Sequence, residues 1–138
     1  MTRSFVRVAR ASLLIALLAG CAGDNTSPAP LARIPDGNWG GQGIGFSVDG
    51  TGVTFIFDCA GGRVDQPIAL GGDGSFDVQG TYTGFGNAIG ADHTPHPARY
   101  AGHATRTQVQ ITRTLLDGDK SVGTFTANFG ALPMVAVC

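Results

Sequence analysis

The chain has 138 residues, 22 of them glycine, and its nine basic and ten acidic side chains leave a formal charge of −1. That length suits a single domain with a modest core, and the glycine content with few helix formers argues against a helical fold. A mildly acidic balance gives no reason to expect a nucleic-acid partner.

In chain order, Arg3, Arg7 and Arg10 place positive charge at the N-terminus with no acidic residue to offset it, and the apolar run Ala11 to Gly20 follows. A basic stretch and then a short apolar one is the order of a secretory signal. The run is shorter than the roughly 20 residues a bilayer-spanning helix needs. At its end stands Leu18-Ala19-Gly20-Cys21, which resembles the bacterial lipobox, whose cysteine is acylated and becomes the first mature residue. The resemblance implies that residues 1–20 are a removed lipoprotein signal peptide. It also implies that Cys21 carries the lipid, palmitate among its chains, and that the protein is held in the bacterial cell envelope, its domain in the periplasm or on the outer face. The reading set against it is an ordinary signal cut elsewhere, with Cys21 incidental.

Removing 20 residues leaves 118, with a formal charge near −4 because the signal holds three of the basic residues and no acidic ones. Residues 21–35 contain Gly, Asp, Asn, Ser and three prolines and read as a lipidated N-terminus and flexible tether. From residue 36 to 138 the pattern becomes short strands between glycine-rich turns. In Asn38 to Val48, the residues Ile44, Phe46 and Val48 share a face, and Asp49-Gly50 is a hairpin turn. Val53, Phe55, Phe57 and Cys59 share the next face, which would point Cys59 inward. Gly61-Gly62 is read as a turn into a strand from Val64 to Leu70, and Gly71 to Gly74 as another turn. Phe76, Val78, Gly80 and Tyr82 alternate with polar residues, and a long loop from Gly84 to Pro97 follows. Strands are then expected over Ala98 to His103, over Val109, Ile111, Arg113 and Leu115, over Phe125, Ala127 and Phe129, and finally over Met134 to Cys138. The sum is about eight strands in a small antiparallel all-β meander. An even-numbered meander can close on itself, so the expectation is an eight-stranded up-and-down barrel, with a two-sheet β-sandwich as the alternative.

With Cys21 taken by lipid, Cys59 and Cys138 are an even pair in an exported chain, where disulfides form and persist. Their bond would close a loop of about 80 residues, worth about 4 kcal/mol in the chain-entropy account. The competing expectation is two free thiols in an oxidising compartment.

Gly37-Asn38-Trp39 at the head of the first strand is similar to the Gly-x-Trp signature of calycins, the lipocalin and avidin-like barrels. The resemblance implies that Trp39 closes the barrel floor and that a basic residue from a late strand, here Arg113, packs over it. Read as residues alone, Trp39 is a core aromatic, and Arg113 is either inward on its apolar strand face or turned out by a bulge. The succession Trp39-Gly40-Gly41, Phe57-Asp58-Cys59-Ala60-Gly61-Gly62, Gly74-Ser75-Phe76, Gly80-Thr81-Tyr82, Pro97 to Gly102, Gly123-Thr124-Phe125 and Cys138 looks like a group of small exported bacterial proteins of uncharacterised function. A lipid-anchored small barrel with a disulfide at its C-terminus is also similar in plan to periplasmic inhibitors of lysozyme and of secreted proteases, although none of their inhibitory residues is matched here.

Chemistry-bearing motifs are sparse. Asp92, His93 and His96 lie in the long loop with His103 beyond it; the spacing could ligate zinc or copper, but a solvated polar loop needs no metal, and no metal or other cofactor is expected. Asp58 and Asp77 alternate with inward residues and should face water. Gly40 to Gly45 precedes no helix and is not a phosphate loop. No serine sits in a nucleophile elbow. The expectation is a monomeric, non-enzymatic envelope lipoprotein acting as a binding or inhibitor-like module towards an envelope or secreted protein, the alternative being a structural lipoprotein without a discrete ligand. Long loops in compact domains are usually functional or disordered, so Phe85, Ile89 and His93 are the candidate contact residues, with a permissive insertion as the rival.

Overall fold

The structure is a computed structural model that describes residues 27–86, 92–118 and 120–138. The signal segment, Cys21 and the first part of the tether lie outside those residues, as does Ile89. Eight strands follow in chain order: β1 (Gly37–Gly41), β2 (Ile44–Val48), β3 (Val53–Phe57), β4 (Ala60–Val64), β5 (Ser75–Gly84), β6 (His96–Ala104), β7 (Gln108–Leu115) and β8 (Lys120–Phe129). Each pairs antiparallel with its successor, and β8 returns to β1 through Trp39↔Phe129 and Gly40↔Asn128, closing the barrel. The meander therefore closes as one barrel and not as two sheets, which gives every strand a neighbour on each side.

The eight strands are not quite those expected. The stretch Asn38 to Val48 is two strands, because Gly41↔Ile44 pair across a turn at Gln42-Gly43 with Gly43 at φ +72°. Met134 to Cys138 is instead a tail outside the strand order, whose one β-bridge to the barrel is Gln42↔Met134. The turn expected at Gly61-Gly62 lies earlier, at Asp58-Cys59, with Cys59 at φ +52°. Those glycines belong to β4 and serve close packing. A Cβ on Gly61 would come within 2.7 Å of the Phe85 ring, and one on Gly62 would run into the Tyr100 hydroxyl. No strand runs from Val64 to Leu70. That segment crosses the barrel end, where Ile68 is buried beside Ile34, Ile34 N–H donates to Ile68 O, and Leu70 N–H donates to Ala32 O. The folded domain thus starts near residue 32, inside what the sequence reads as tether.

Strand alternation fills the interior. Trp39, Phe46, Phe55, Phe57, Tyr100, Val109 and Ile111 are all buried. The aromatic rings form a continuous column: Trp39 to Phe46 at 5.7 Å, Phe46 to Phe55 at 5.3 Å, Phe55 to Tyr100 at 4.6 Å, Phe55 to Phe57 at 5.8 Å and Phe57 to Phe125 at 5.3 Å between centroids. An eight-stranded barrel is just wide enough for side chains to fill it, and each buried large side chain contributes about 1.5–3 kcal/mol. One end is plugged by Ile34 and Ile68. The other end carries the turns at Gln42-Gly43 and Asp58-Cys59, the connection from β5 to β6, and the turn from β7 to β8.

Candidate functional site

The second barrel end gathers the features that strand pairing does not require. After Phe129, at the plugged end, Gly130 at φ +72° turns the chain back along the outer wall. The wall is prepared for it. Gly40 and Gly45 face outward beneath the tail, and a Cβ on Gly45 would lie 2.5 Å from Pro133. These are the glycines of the apparent phosphate loop; their lack of side chains makes room for another stretch of chain. The tail is fastened by Gly43 N–H to Met134 O (2.8 Å), Met134 N–H to Gly41 O (3.0 Å) and Cys59 N–H to Ala136 O (3.1 Å). Asp58, placed outward as expected, accepts Ala136 N–H on Oδ1 at 2.7 Å.

Cys59 and Cys138 are paired, with Cα atoms 5.0 Å apart, inside the usual disulfide range. Cys59 does not point into the core. It occupies the hairpin turn and is only half-buried, because the strand ends at Phe57 and its alternation stops there. The bond joins the β3–β4 turn to the tail, not to a ninth strand.

Of the candidate contact residues, Phe85 packs on Gly61, donates its N–H to Cys59 O at 2.7 Å, and is 47% exposed. His93 is exposed and its Nδ1 lies 3.1 Å from Gly84 O. Beside Phe85 stand Ile56 of the outer wall and the tail residue Val137, both exposed, Val137 at 94%; Met134, bonded to Gly41 and Gly43 at the β1–β2 turn, is exposed as well. Two apolar clefts flank the tail. The larger, about 490 Å³, is lined by Trp39, Phe46, Ile56, Phe129, Leu132 and Pro133 among others; the smaller, about 200 Å³, by Ile56, Cys59, Phe85, Val135 and Val137 among others.

The histidine cluster is assembled differently from its sequence spacing. His96 has Asp92 at Nε2 (2.9 Å) and Asp117 at Nδ1. Those two carboxylates, Asp117 above all, raise its pKa, with burial opposing. Asp117 was not singled out in the sequence, since 21 positions separate it from His96 and only the β6–β7 pairing brings them together. His93 does not join this group, and His103 reaches Asp73 O near the plugged end. Among the described residues no group of three potential ligands is arranged to hold a metal ion.

Trp39 and Arg113 do not meet as the calycin resemblance implies. Trp39 lies towards the plugged end, edge-on to Phe129 at 5.1 Å, with its indole N–H donating to Pro35 O at 3.2 Å. Arg113 pairs with Gly123, six residues along β8 from Phe129, so roughly 20 Å of strand at about 3.3 Å per residue lies between the two pairings. Arg113 is inward and only 4% exposed, and its guanidinium carbon sits 4.1 Å from the Phe57 ring centre, 4.3 Å from that of Tyr82 and 5.4 Å from that of Phe125. A register shift does occur between β7 and β8, but past the Arg113↔Gly123 pair and with the extra residue on β8, so it does not turn this side chain outward.

Comparison with protein-family models, with curated proteins and with solved structures finds no significant match.

Proposed function

We propose that this chain is a lipid-anchored, non-catalytic binding module of the bacterial envelope, inhibitor-like in plan, which meets an envelope or secreted protein through the outer wall around its C-terminal tail. The observation that carries the reading is the exposed apolar group Ile56, Phe85, Leu132, Met134 and Val137, displayed on a backbone tied by a disulfide and by Asp58. Monomeric domains rarely leave such surface uncovered without a use for it. The interior is occupied by its own aromatic column, which favours a protein contact on the outside over a large ligand carried within. His96 has a carboxylate on each ring nitrogen, so neither is free to take a proton from a nucleophile, which favours a binding role over catalysis.

The chain enters the barrel at the plugged end, where Arg106 donates to Ala29 O at 3.0 Å. A lipid on Cys21 would hold the domain by that end and direct Phe85 and the disulfide away from the bilayer.

The test is photo-crosslinking in intact cells from a probe residue at Leu132 or Val137, compared with Phe85→Ser and Met134→Ser variants. The expected result is one dominant adduct that both substitutions diminish while the melting temperature is kept. Absence of any specific adduct from every tail and loop position would overturn the reading and favour a structural lipoprotein without a discrete ligand.

A further inference from the structure

The C-terminal tail is an extended peptide seated in a groove, and its fastenings run to the barrel. The barrel receives its backbone at alternate residues, each time with one donor and one acceptor. Gly43 N–H donates to Met134 O and Gly41 O accepts Met134 N–H; Cys59 N–H donates to Ala136 O and the Asp58 carboxylate accepts Ala136 N–H. Recognition of a chain through its backbone at every second residue is how a peptide is added to a sheet. Beneath residues 131–133 the outward glycines Gly40 and Gly45 leave the floor bare. A Cβ on Gly40 would run into Ala131 O, and one on Gly45 would lie 2.5 Å from Pro133. The groove is shaped for one segment, residues 131–138 of this chain.

These contacts do not require that segment and groove belong to the same copy. The tail leaves the barrel at Gly130, at φ +72°, and a Cβ there would meet nothing within 4 Å. A glycine in open space is a hinge, since it adopts an extended conformation as readily as a left-handed one. Swung out at Gly130, residues 131–138 reach the groove of a second copy and make the same bonds there. What differs is entropy. The chain's own tail acts at an effective concentration on the order of millimolar, so exchange gains ground only as the protein nears that concentration. The disulfide is open to the thiols that permit exchange, because Cys138 is exposed and Cys59 half-buried.

We propose that the groove receives the tail of a second copy, so that two chains exchange residues 131–138 and form a symmetric dimer, cross-linked twice between Cys59 of one copy and Cys138 of the other. The chemistry is thiol–disulfide exchange. The thiolate of a small thiol attacks the Cys59–Cys138 bond, leaving one sulfur in a mixed disulfide and the other as a thiolate. After the tails cross, the waiting thiolate of the other copy displaces the small thiol. Two intramolecular disulfides become two intermolecular ones, the small thiol is regenerated, and nothing is oxidised or reduced overall. Met134 and Val137 stay on the outer wall, so the dimer presents the contact surface twice. The exchange needs only the chain itself, so it and the partner contact can fail separately.

The test uses the Cys21→Ser protein, so that no third thiol competes. Unlabelled and isotope-labelled copies are mixed with a catalytic amount of glutathione, at about 1 mM protein and again at a concentration about a hundredfold lower. Mass spectrometry then reads the linked Cys59–Cys138 peptides. The expected result is hybrid peptides, one half labelled, at the higher concentration and few at the lower. The proposal is overturned if no hybrid forms at the higher concentration, or if Cys59–Cys59 and Cys138–Cys138 links are as abundant, which would mark indiscriminate thiol coupling. A second arm mixes Cys59→Ser with Cys138→Ser in that background, a pair in which only exchange between copies restores the bond. The heterodimer should exceed the Cys138–Cys138 homodimer. Adding Gly45→Ala to the Cys138→Ser chain, which narrows the receiving groove, should lower its yield about fivefold or more. A heterodimer yield unchanged by Gly45→Ala would overturn the proposal as well. The labelled mixture decides the matter should the variants of the second arm fail to fold.

Discussion

Tyr100 fits inside the barrel because Gly62, facing it from β4, has no side chain, and its hydroxyl donates to Thr81 O at 2.7 Å. Gly62→Ala should therefore destabilise the protein by about 2 kcal/mol through overpacking. Tyr100→Phe in the same chain should recover part of that loss, although the phenylalanine alone costs about 1 kcal/mol for the missing hydrogen bond. Denaturant melts of the two single variants and the double variant measure the coupling; strict additivity would show that the two residues do not compete for space. His96 provides a second test at this scale. Its pKa is raised by Asp117 and Asp92, so its contribution to stability is complete below its ordinary value near 6.5 and is lost as pH rises through the higher folded value. His96→Gln should lower the melting temperature at about pH 5 and leave it nearly unchanged at about pH 9. An equal loss at both would mean that His96 acts through packing alone. The packing role of Gly62 and the Asp117 partner of His96 were not legible in the sequence, whereas Asp92 already stood beside His96 in the loop cluster. A glycine pair reads as a turn whether it is needed for φ or for space, and Asp117 is distant from His96 along the chain.

Among the elements, the hairpins and the tail are held by different means. The β2–β3 turn needs only local chemistry, since Asp49 Oδ1 accepts from Thr51 N–H (2.7 Å) and Gly52 N–H (3.0 Å), an Asx turn that Asp49-Gly50 already announced. The tail has one isolated bridge, a few backbone hydrogen bonds and the bond from Cys59 to Cys138, 79 positions apart. Reduction should remove about 4 kcal/mol of global stability on the chain-entropy account. It should also speed amide exchange first at Gly43, Cys59 and Met134, whose N–H groups bond to or from the tail, while β5 to β7 amides open only with the whole domain. Thiol titration of the oxidised protein that finds two free thiols would refute the pairing outright. The alternation of Met134, Val135 and Ala136 gave no sign that this segment lies over the barrel. A strand and a strap share the same extended pattern, and only the outward glycines Gly40 and Gly45 distinguish where it rests.

For the whole molecule, closure is the governing fact. Eight antiparallel strands in sequence order bring β8 beside β1 and leave the N-terminal segment at the plugged end. An anchor at Cys21 would then act as a leash on a rigid body. Cys21→Ser should move the protein from the membrane fraction to the soluble fraction with its melting temperature unchanged, read by fractionation and intact mass. An unmodified Cys21 in the wild-type protein would refute the anchor.

Strand type, the antiparallel meander and the inward face of most strands were determined by the sequence itself, because side chains on a strand alternate with period two and apolar residues occupy one phase. The pairing of Cys59 with Cys138 was an expectation of the sequence, with two free thiols as its rival, and the closeness of the two cysteines in the fold decided between them. Tertiary structure alone decided the rest. It decided that Cys59 sits in a turn, that Gly61 and Gly62 are packing positions, that Val64 to Leu70 crosses a barrel end, and that Trp39 and Arg113 lie at different levels. These depend on how far each strand runs before it turns and on the stagger between neighbours. Both are set by the fit of side chains inside a closed barrel, which no window of sequence contains.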